Sequence, residues 1–239
     1  MKVLVVDDHA LIRDALRRVL GQLEREVTVF EAGDCGQAFR MIEVQPDLDL
    51  VLLDLNLPGM RGLAALTELR TRYPAVSVVV VSATNDRVSV TQALDHGAMG
   101  YIPKSSSNEL LASALRLVLS GGIYIPPEIL GRSEPQMVPA NVESPASDAG
   151  GSPRRLLPSD LGLTERQAQI LILLMQGKSN KLICRELDLA ESTVKNHVTH
   201  VLKTLNVTSR TQAVIAAARM GLVLEPIPSS RKSQPGGNY

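Results

Sequence analysis

The chain has 239 residues, of which 44% are hydrophobic and 3% aromatic, and its net charge is zero because 25 basic residues balance 25 acidic ones. This composition excludes collagen-like, wholly disordered and disulfide-scaffold proteins, and the length favours one large domain or two smaller ones. The apolar runs are too short for a signal peptide or a membrane span and the two cysteines lie far apart, so we expect a cytoplasmic protein without a membrane partner.

Short β-branched runs alternate with amphipathic helical patterns in the first half of the chain. The runs cover residues 2–6, 27–31, 50–54, 76–81 and 100–102. After the first run, apolar residues recur at the spacing of one helix face. This alternation predicts an α/β domain over residues 1–125, with a doubly wound parallel sheet of five strands and helices on both faces.

Polar side chains follow four of these runs, at the sheet edge where doubly wound domains bind their ligands. They are Asp7, Asp8, Asp54, Ser82 and Lys104. Carboxylates suit Mg²⁺, and beside such an ion Asp54 can act as a nucleophile toward phosphorus while Ser82 and Lys104 stabilise the transferred oxygens. Acidic residues after strands are often ordinary turn and cap residues, but complementary chemistry at four strand ends favours a phosphoryl site. A dinucleotide site is excluded because the first turn lacks glycines.

Residues 1–125 resemble the receiver domain of bacterial two-component response regulators, which has a flavodoxin-like fold. The shared motifs are VVDDH at 5–9, LLDLNLPGMRG at 52–62, VSA at 81–83 and GYIPK at 100–104. The resemblance implies that Asp54 accepts a phosphoryl group from a sensor histidine kinase. It also implies that Ser82 and Lys104 contact that group.

The same resemblance implies a metal site and a switch. Mg²⁺ would be held by Asp8 with the help of Asp7, Asp54 and the backbone carbonyl of Asn56. Ser82 and Tyr101 would form the switch, the tyrosine ring turning inward when Ser82 moves. A packed core tyrosine is the alternative interpretation of Tyr101.

The middle of the chain separates two regions of opposite charge. Residues 1–131 carry 12 basic and 16 acidic residues, whereas residues 161–225 carry 8 and 5. Between them, residues 133–160 are rich in proline, serine and glycine and lack apolar periodicity, which predicts a flexible linker within 126–160. Residues 226–239 have the same character and are expected to form a disordered tail. The zero net charge is therefore a cancellation between an acidic half and a basic half.

From residue 161 the pattern becomes purely helical. Thr164 with Gln167 forms a capping box that opens the first helix, and Ser209 with Gln212 opens the last. Between them the pattern predicts helices over 179–187 and 192–205. Four short helices over 161–225, two of them joined by a tight turn, are typical of an all-α helix-turn-helix domain.

The helix predicted over 192–205 is amphipathic. Its apolar stripe must face a core, and its opposite side carries Lys195, Asn196, Thr199, His200 and Lys203. Side chains of this length and polarity suit base edges and phosphates of duplex DNA. An amphipathic helix in any bundle would look similar, so the pattern alone leaves a protein-interaction module open.

Residues 163–214 closely resemble the LuxR-type (NarL/FixJ-like) helix-turn-helix of bacterial transcription regulators. The resemblance implies that 192–205 is the recognition helix, with Lys195, Asn196 and Thr199 nearest the bases. His200 and Lys203 would contact the DNA backbone, and Lys178, Ser179 and Asn180 would lie near phosphate. Asp188 stands where the turn usually has glycine, and we expect it to tolerate a left-handed backbone.

Together these features predict a phosphorylation-controlled transcription regulator with no enzymatic activity beyond its own phosphotransfer and dephosphorylation. Its expected partners are a sensor histidine kinase, double-stranded operator DNA and a second copy of the chain, with RNA polymerase a further candidate. The resemblance places the dimer contact on the last helix, at Val214, Ile215, Ala217 and Ala218. The rival interpretation is a receiver-controlled protein–protein signalling adaptor, whose binding would be insensitive to salt and to Lys195.

Overall fold

A computed structural model describes residues 1–23, 26–60, 62–127 and 161–220, so most of the predicted linker and all of the predicted tail lie outside it. The first half contains the strands β1 (Lys2–Val6), β2 (Thr28–Ala32), β3 (Leu50–Leu53), β4 (Ser77–Ser82) and β5 (Gly100–Pro103). All pair in parallel, in the spatial order β2-β1-β3-β4-β5. The predicted doubly wound sheet is confirmed, and each strand lies within one residue of its predicted bounds.

Helices cover both faces of this sheet. They are α1 (Ala10–Leu23), α2 (Cys35–Val44), α3 (Gly62–Arg72), α4 (Arg87–Asp95) and α5 (Asn108–Leu119). Successive strand residues point to opposite faces, so Leu4 and Val6 pack with α2, α3 and α4, whereas Val3 and Val5 pack with α1 and α5. Burial on both faces explains why the strands read as continuous apolar runs.

The second half is helical, with α6 (Glu165–Met175), α7 (Asn180–Leu187), α8 (Glu191–Thr204) and α9 (Arg210–Arg219). Thr164 and Gln167 form the predicted capping box, and the Ser209 hydroxyl accepts the N–H of Gln212 at 3.2 Å. Asp188 adopts the left-handed conformation, φ 52°, between α7 and α8. In the described residues no helix is both long and apolar enough to cross a membrane.

The helical domain packs against the edge of the sheet opposite Asp54. Its contacts fall on segments that precede β3, β4 and β5, among them Leu48, Ala75 and Asp95. Asp54 follows the other end of β3, so Asp54 and the contacts with the helical domain lie at opposite ends of the strands. We call the contact between the helical domain and this edge the domain interface.

Candidate functional site

Three aspartates converge at the carboxyl edge of the sheet. Asp7 and Asp8 follow β1 and Asp54 follows β3, which is the neighbour of β1 in the sheet. Ligand atoms from these three residues and from His9 all lie within 4.8 Å of one another. Asp7 and Asp54 are buried, whereas the Asp8 side chain is 35% exposed. We call this group the acidic site; parallel pairing of β1 and β3 brings together residues that are 47 positions apart.

Lys104, which follows β5, reaches into the acidic site. Its Nζ lies 2.7 Å from Asp54 Oδ2 and 2.7 Å from Asp7 Oδ2. Burial alone would lower the pKa of the Lys104 ammonium, but its hydrogen bonds to Asp54 and Asp7 outweigh burial and hold that pKa above the ordinary lysine value. The cation therefore stays charged beside the carboxylates.

Ser82, Thr84 and Tyr101 form a connected polar chain next to Asp54. The buried Ser82 hydroxyl accepts the N–H of Thr84 at 3.3 Å, and the Tyr101 hydroxyl donates to the Thr84 carbonyl at 2.5 Å. The Tyr101 ring is fully buried, and burial raises the pKa of its hydroxyl despite an opposing hydrogen bond with Ser82. The Ser82 and Tyr101 side chains are thus linked through the backbone of Thr84, whose N–H contacts Ser82 and whose carbonyl contacts Tyr101.

The donor set of the acidic site fits Mg²⁺. Three carboxylates face a single lysine cation, so the site has an excess of negative charge, and carboxylate oxygens are hard ligands that magnesium prefers. Asn56 lies beside it, its backbone N–H donating to Asp54 Oδ1 at 3.1 Å. An acidic site of this composition can hold a divalent cation next to the Asp54 carboxylate.

His9, for which no role was predicted from the sequence, belongs to the acidic site. Its Nδ1 lies 2.7 Å from Asp8 Oδ1 and 3.3 Å from Asp7 Oδ1, and its backbone N–H donates to Asp7 Oδ1 at 2.9 Å. The position of His9 directly after Asp7 and Asp8 is the feature of the sequence that could have indicated this role. The His9 side chain is 65% exposed, so its ring lies on the solvent side of the two carboxylates.

The structure places the predicted DNA-contacting residues of α8 in different environments. Asn196, His200 and Lys203 are exposed and Thr199 is half-buried. Lys195, predicted to lie nearest the bases, is only 7% exposed, and its Nζ donates to the carbonyl of Leu48 at 2.8 Å. In this conformation the side of α8 that carries Lys195 therefore faces the α/β domain.

The residues predicted to lie near phosphate sit at the start of α7. The Ser179 hydroxyl caps the helix by accepting the N–H of Leu182 at 3.4 Å, and Lys178 pairs with Glu186 at 2.6 Å. The Asn180 side chain donates to the carbonyl of Ala75 in the α/β domain at 3.2 Å. Asn180 is therefore part of the domain interface, as Lys195 is.

Arg70 of α3 is a buried cation at the domain interface that sequence patterns did not indicate. Its guanidinium donates twice to the Thr208 carbonyl, at 3.1 and 2.8 Å, and also to the carbonyls of Pro74 and Val76. Burial, together with the charge of nearby Arg210, lowers the pKa of Arg70 to about 10. Four carbonyl hydrogen bonds compensate a charge that has been removed from water.

Two carboxyl groups meet across the same interface. Glu191, the first residue of α8, forms a hydrogen bond with Asp49 of the α/β domain. Lys195 lies 3.3 Å from Glu191, and Lys181 lies 3.5 Å from Asp49. Burial and the neighbouring Asp49 raise the pKa of Glu191. Burial also opposes ionisation of Asp49, but its hydrogen bonds to Glu191 and Lys2 and the nearby lysines lower its pKa. When this pair takes up a proton, Glu191 is therefore the carboxyl group that binds it first.

Comparisons with known proteins agree with this architecture. Residues 3–116 match the response regulator receiver domain, and residues 161–217 match the luxR family of bacterial regulatory proteins. The chain is 40% identical over 216 residues to the glycerol metabolism activator of Pseudomonas putida, covering 90% of this chain and 94% of that protein. It is 34% identical to the nitrate/nitrite response regulator protein NarL of Escherichia coli K12, covering 89% and 93% respectively.

A solved structure shows the same receiver fold. The crystal structure of a LuxR-family two-component response regulator from Aurantimonas sp. SI85-9A1 superposes with a TM-score of 0.50 at 30% identity, covering 54% of this chain and 91% of that one. The chain therefore belongs to the response regulators that join a receiver domain to a LuxR-type DNA-binding domain, the transcriptional regulators of two-component systems.

Proposed function

We propose that this regulator accepts a phosphoryl group on Asp54 from a sensor histidine kinase and that phosphorylation frees its recognition helix for operator DNA. The observation that carries the first part is the acidic site itself. Asp54 and Asp7 are both buried, and Lys104 lies within hydrogen-bonding distance of each, a combination that a purely structural turn does not require.

In the transfer, a carboxylate oxygen of Asp54 forms a bond to phosphorus while the phosphorus–nitrogen bond of the donor histidine breaks. The product is an aspartyl phosphate, which adds negative charge where the carboxylate stood. Lys104 is already within 2.7 Å of Asp54 and would neutralise that charge, and the Ser82 hydroxyl would donate to a phosphoryl oxygen.

Mg²⁺ would be held by the carboxylates of Asp7, Asp8 and Asp54 and the backbone carbonyl of Asn56. When bound, it supplies positive charge that offsets the charge of the phosphoryl oxygens. The fit rests on the hard oxygen donors and the excess negative charge of the acidic site.

The switch would run through the Thr84 carbonyl. If the Ser82 hydroxyl turns toward the phosphoryl group, it releases the N–H of Thr84, whose carbonyl holds Tyr101. Movement of this segment therefore transmits to the tyrosine ring and to the neighbouring helix α4.

The second part of the proposal rests on the burial of Lys195. A lysine that donates to Leu48 inside the domain interface cannot contact a base edge at the same time. The conformation described is thus a closed, DNA-free form, and DNA binding requires the domains to separate. This favours release as an early activating step, before two copies assemble on a two-fold operator.

The dimer contact on α9 needs one correction. Ala217 is fully buried in the core of the helical domain, so it cannot supply a contact to a second copy. Ile215 is 47% exposed and Val214 is half-buried, and they are the described candidates that remain. The side chain of Ala218 lies outside the described residues.

Acceptance by Asp54 is tested with a small phosphodonor. The full-length chain is incubated with acetyl phosphate and MgCl₂, and bound phosphate is measured after acid and after base. Wild type should gain an acid-stable, base-labile phosphoryl group, and Asp54→Asn should not. An Asp54→Asn variant that is labelled like wild type would exclude Asp54 as the acceptor.

DNA recognition is tested with duplexes selected from a random library. Binding by the phosphorylated chain should weaken steeply as salt rises, because bound phosphates release counterions, and Lys195→Ala should weaken it at every salt concentration. Lys181→Ala is the matched control, since it removes an interface lysine that is not expected to reach the bases. Binding insensitive to both salt and Lys195 would instead indicate the protein–protein adaptor.

A further inference from the structure

Arg13 of α1 contacts the acidic site from its backbone side. Its Nη1 donates to the backbone carbonyl of Asp7 at 2.7 Å, and its Nε donates to Glu31 Oε2 at 3.0 Å. Glu31 lies on β2, paired in register with Val5 of β1. The guanidinium therefore joins the end of β2 to the turn that carries the acid pair.

The Asp7 carbonyl belongs to the peptide group that links Asp7 to Asp8. A peptide group is planar, so fixing its carbonyl fixes the orientation of the whole unit and restricts ψ of Asp7 and φ of Asp8. On the other side, the N–H of Asp7 donates to the carbonyl of Ala32 at 3.1 Å. The Asp8 carboxylate contacts the largely exposed ring of His9, so the peptide plane is what sets where this carboxylate points.

The guanidinium is itself held in place. Its side chain is 20% exposed and that of Glu31 is 24% exposed, so the ion pair is partly shielded from solvent. Arg17, one turn further along α1, also pairs with Glu31 and lies 3.5 Å from Asp14. The two arginines thus share one carboxylate, while the hydrogen bond to the Asp7 carbonyl comes from Arg13.

We propose that Arg13 is a positioning residue that orients the Asp7–Asp8 peptide and thereby sets the affinity of the acidic site for a divalent cation. This inference rests on the proposed function, because it assumes that the site holds a metal. Charge alone predicts the opposite effect: removing a cation near three carboxylates should strengthen the binding of a dication. Weaker cation binding after removal of Arg13 therefore indicates positioning, whereas stronger binding indicates a purely electrostatic effect.

The test measures Mn²⁺ binding to the full-length chain by electron paramagnetic resonance of the free ion, with Mg²⁺ as competitor. Arg13→Ala should weaken binding by about tenfold, the lower end of the range for residues that orient metal ligands. Arg13→Lys keeps the charge but lacks the fork that reaches both acceptors, so an intermediate loss is expected. Arg17→Ala is the matched control: it removes a charge from the same carboxylate and should bind Mn²⁺ as wild type does, or more tightly.

The outcomes distinguish this inference from the proposed metal site. If wild type fails to bind Mn²⁺, or Asp8→Ala binds it as tightly as wild type, the metal site itself is wrong. If those two behave as expected but Arg13→Ala binds equally or more tightly, positioning by Arg13 is overturned. Thermal unfolding without metal shows whether Arg13→Ala folds; if it does not, Arg13→Lys decides, and affinity equal to wild type overturns the inference.

Discussion

A single methyl group at Gly121 should force the closed form open. Gly121 follows α5 with φ +102°, and a Cβ at this position would lie 2.0 Å from the carbonyl oxygen of Gly177 in the helical domain. Ordinary contact begins near 3.4 Å, so the two backbones must move apart by about 1.4 Å. The clash exists only while the domains are packed together.

Two of the interface hydrogen bonds give the scale of the effect. Asn180 donates to Ala75 at 3.2 Å and Gln212 donates to Asp95 at 3.0 Å, and a displacement of this size takes both beyond hydrogen-bonding distance. At about 0.5–1.5 kcal/mol each, their loss weakens closure by about 1–3 kcal/mol. That corresponds to a shift of about 5- to 150-fold toward the open form.

The assay compares compactness and DNA binding of the unphosphorylated chain. Gly121→Ala should increase the radius of gyration in small-angle scattering and tighten duplex binding in fluorescence anisotropy by a factor in that range. Gly177→Ala is the matched control, because it has a similar φ of +76° but its Cβ would meet nothing within 4 Å. Both variants carry the left-handed strain of about 1–2 kcal/mol in open and closed forms alike.

Two results would refute this reasoning. If Gly121→Ala is as compact as wild type and binds DNA with unchanged affinity, the domain interface does not limit DNA binding. Alternatively, Gly177→Ala could open the chain equally, which would assign the effect to backbone strain rather than to the clash.

Two further predictions concern the interface acids and the switch. Closure raises the pKa of Glu191, so the closed form binds more protons than the open form at pH values between the ordinary glutamate pKa and the raised one. Lowering the pH from neutral into that window should increase the compact fraction in scattering, and Glu191→Gln should be compact without this dependence; a wild-type compact fraction that falls on acidification contradicts the prediction. Tyr101→Phe removes the hydrogen bond to Thr84 and should lower the free energy of unfolding by about 1 kcal/mol in urea titrations. It should leave phosphorylation of Asp54 intact while reducing the gain in DNA binding, and an undiminished gain would exclude Tyr101 from the switch.

Much of the acidic site was predictable because its residues stand directly after apolar runs that the sequence identifies as strands. Each of Asp7, Asp54 and Lys104 directly follows an apolar run, and parallel pairing brings such positions to one edge. His9 and Arg13 were missed because their roles depend on where a helix begins and on which backbone carbonyl a long side chain reaches. No periodicity signals either feature.

The sequence by itself determined two domains, their folds and the chemistry of each, since strand alternation, helix amphipathicity and capping pairs are all short-range patterns. Only the tertiary structure decided how the domains meet. The helical wheel places Lys195 on the face predicted to contact DNA, yet its Nζ is buried and donates to the carbonyl of Leu48. The sequence does not distinguish Arg70 from other helical arginines, yet its guanidinium donates to the carbonyl of Thr208 in the helical domain. These contacts join residues more than 130 positions apart and end on backbone carbonyls, which every residue possesses, so no side-chain pattern in the sequence could specify them.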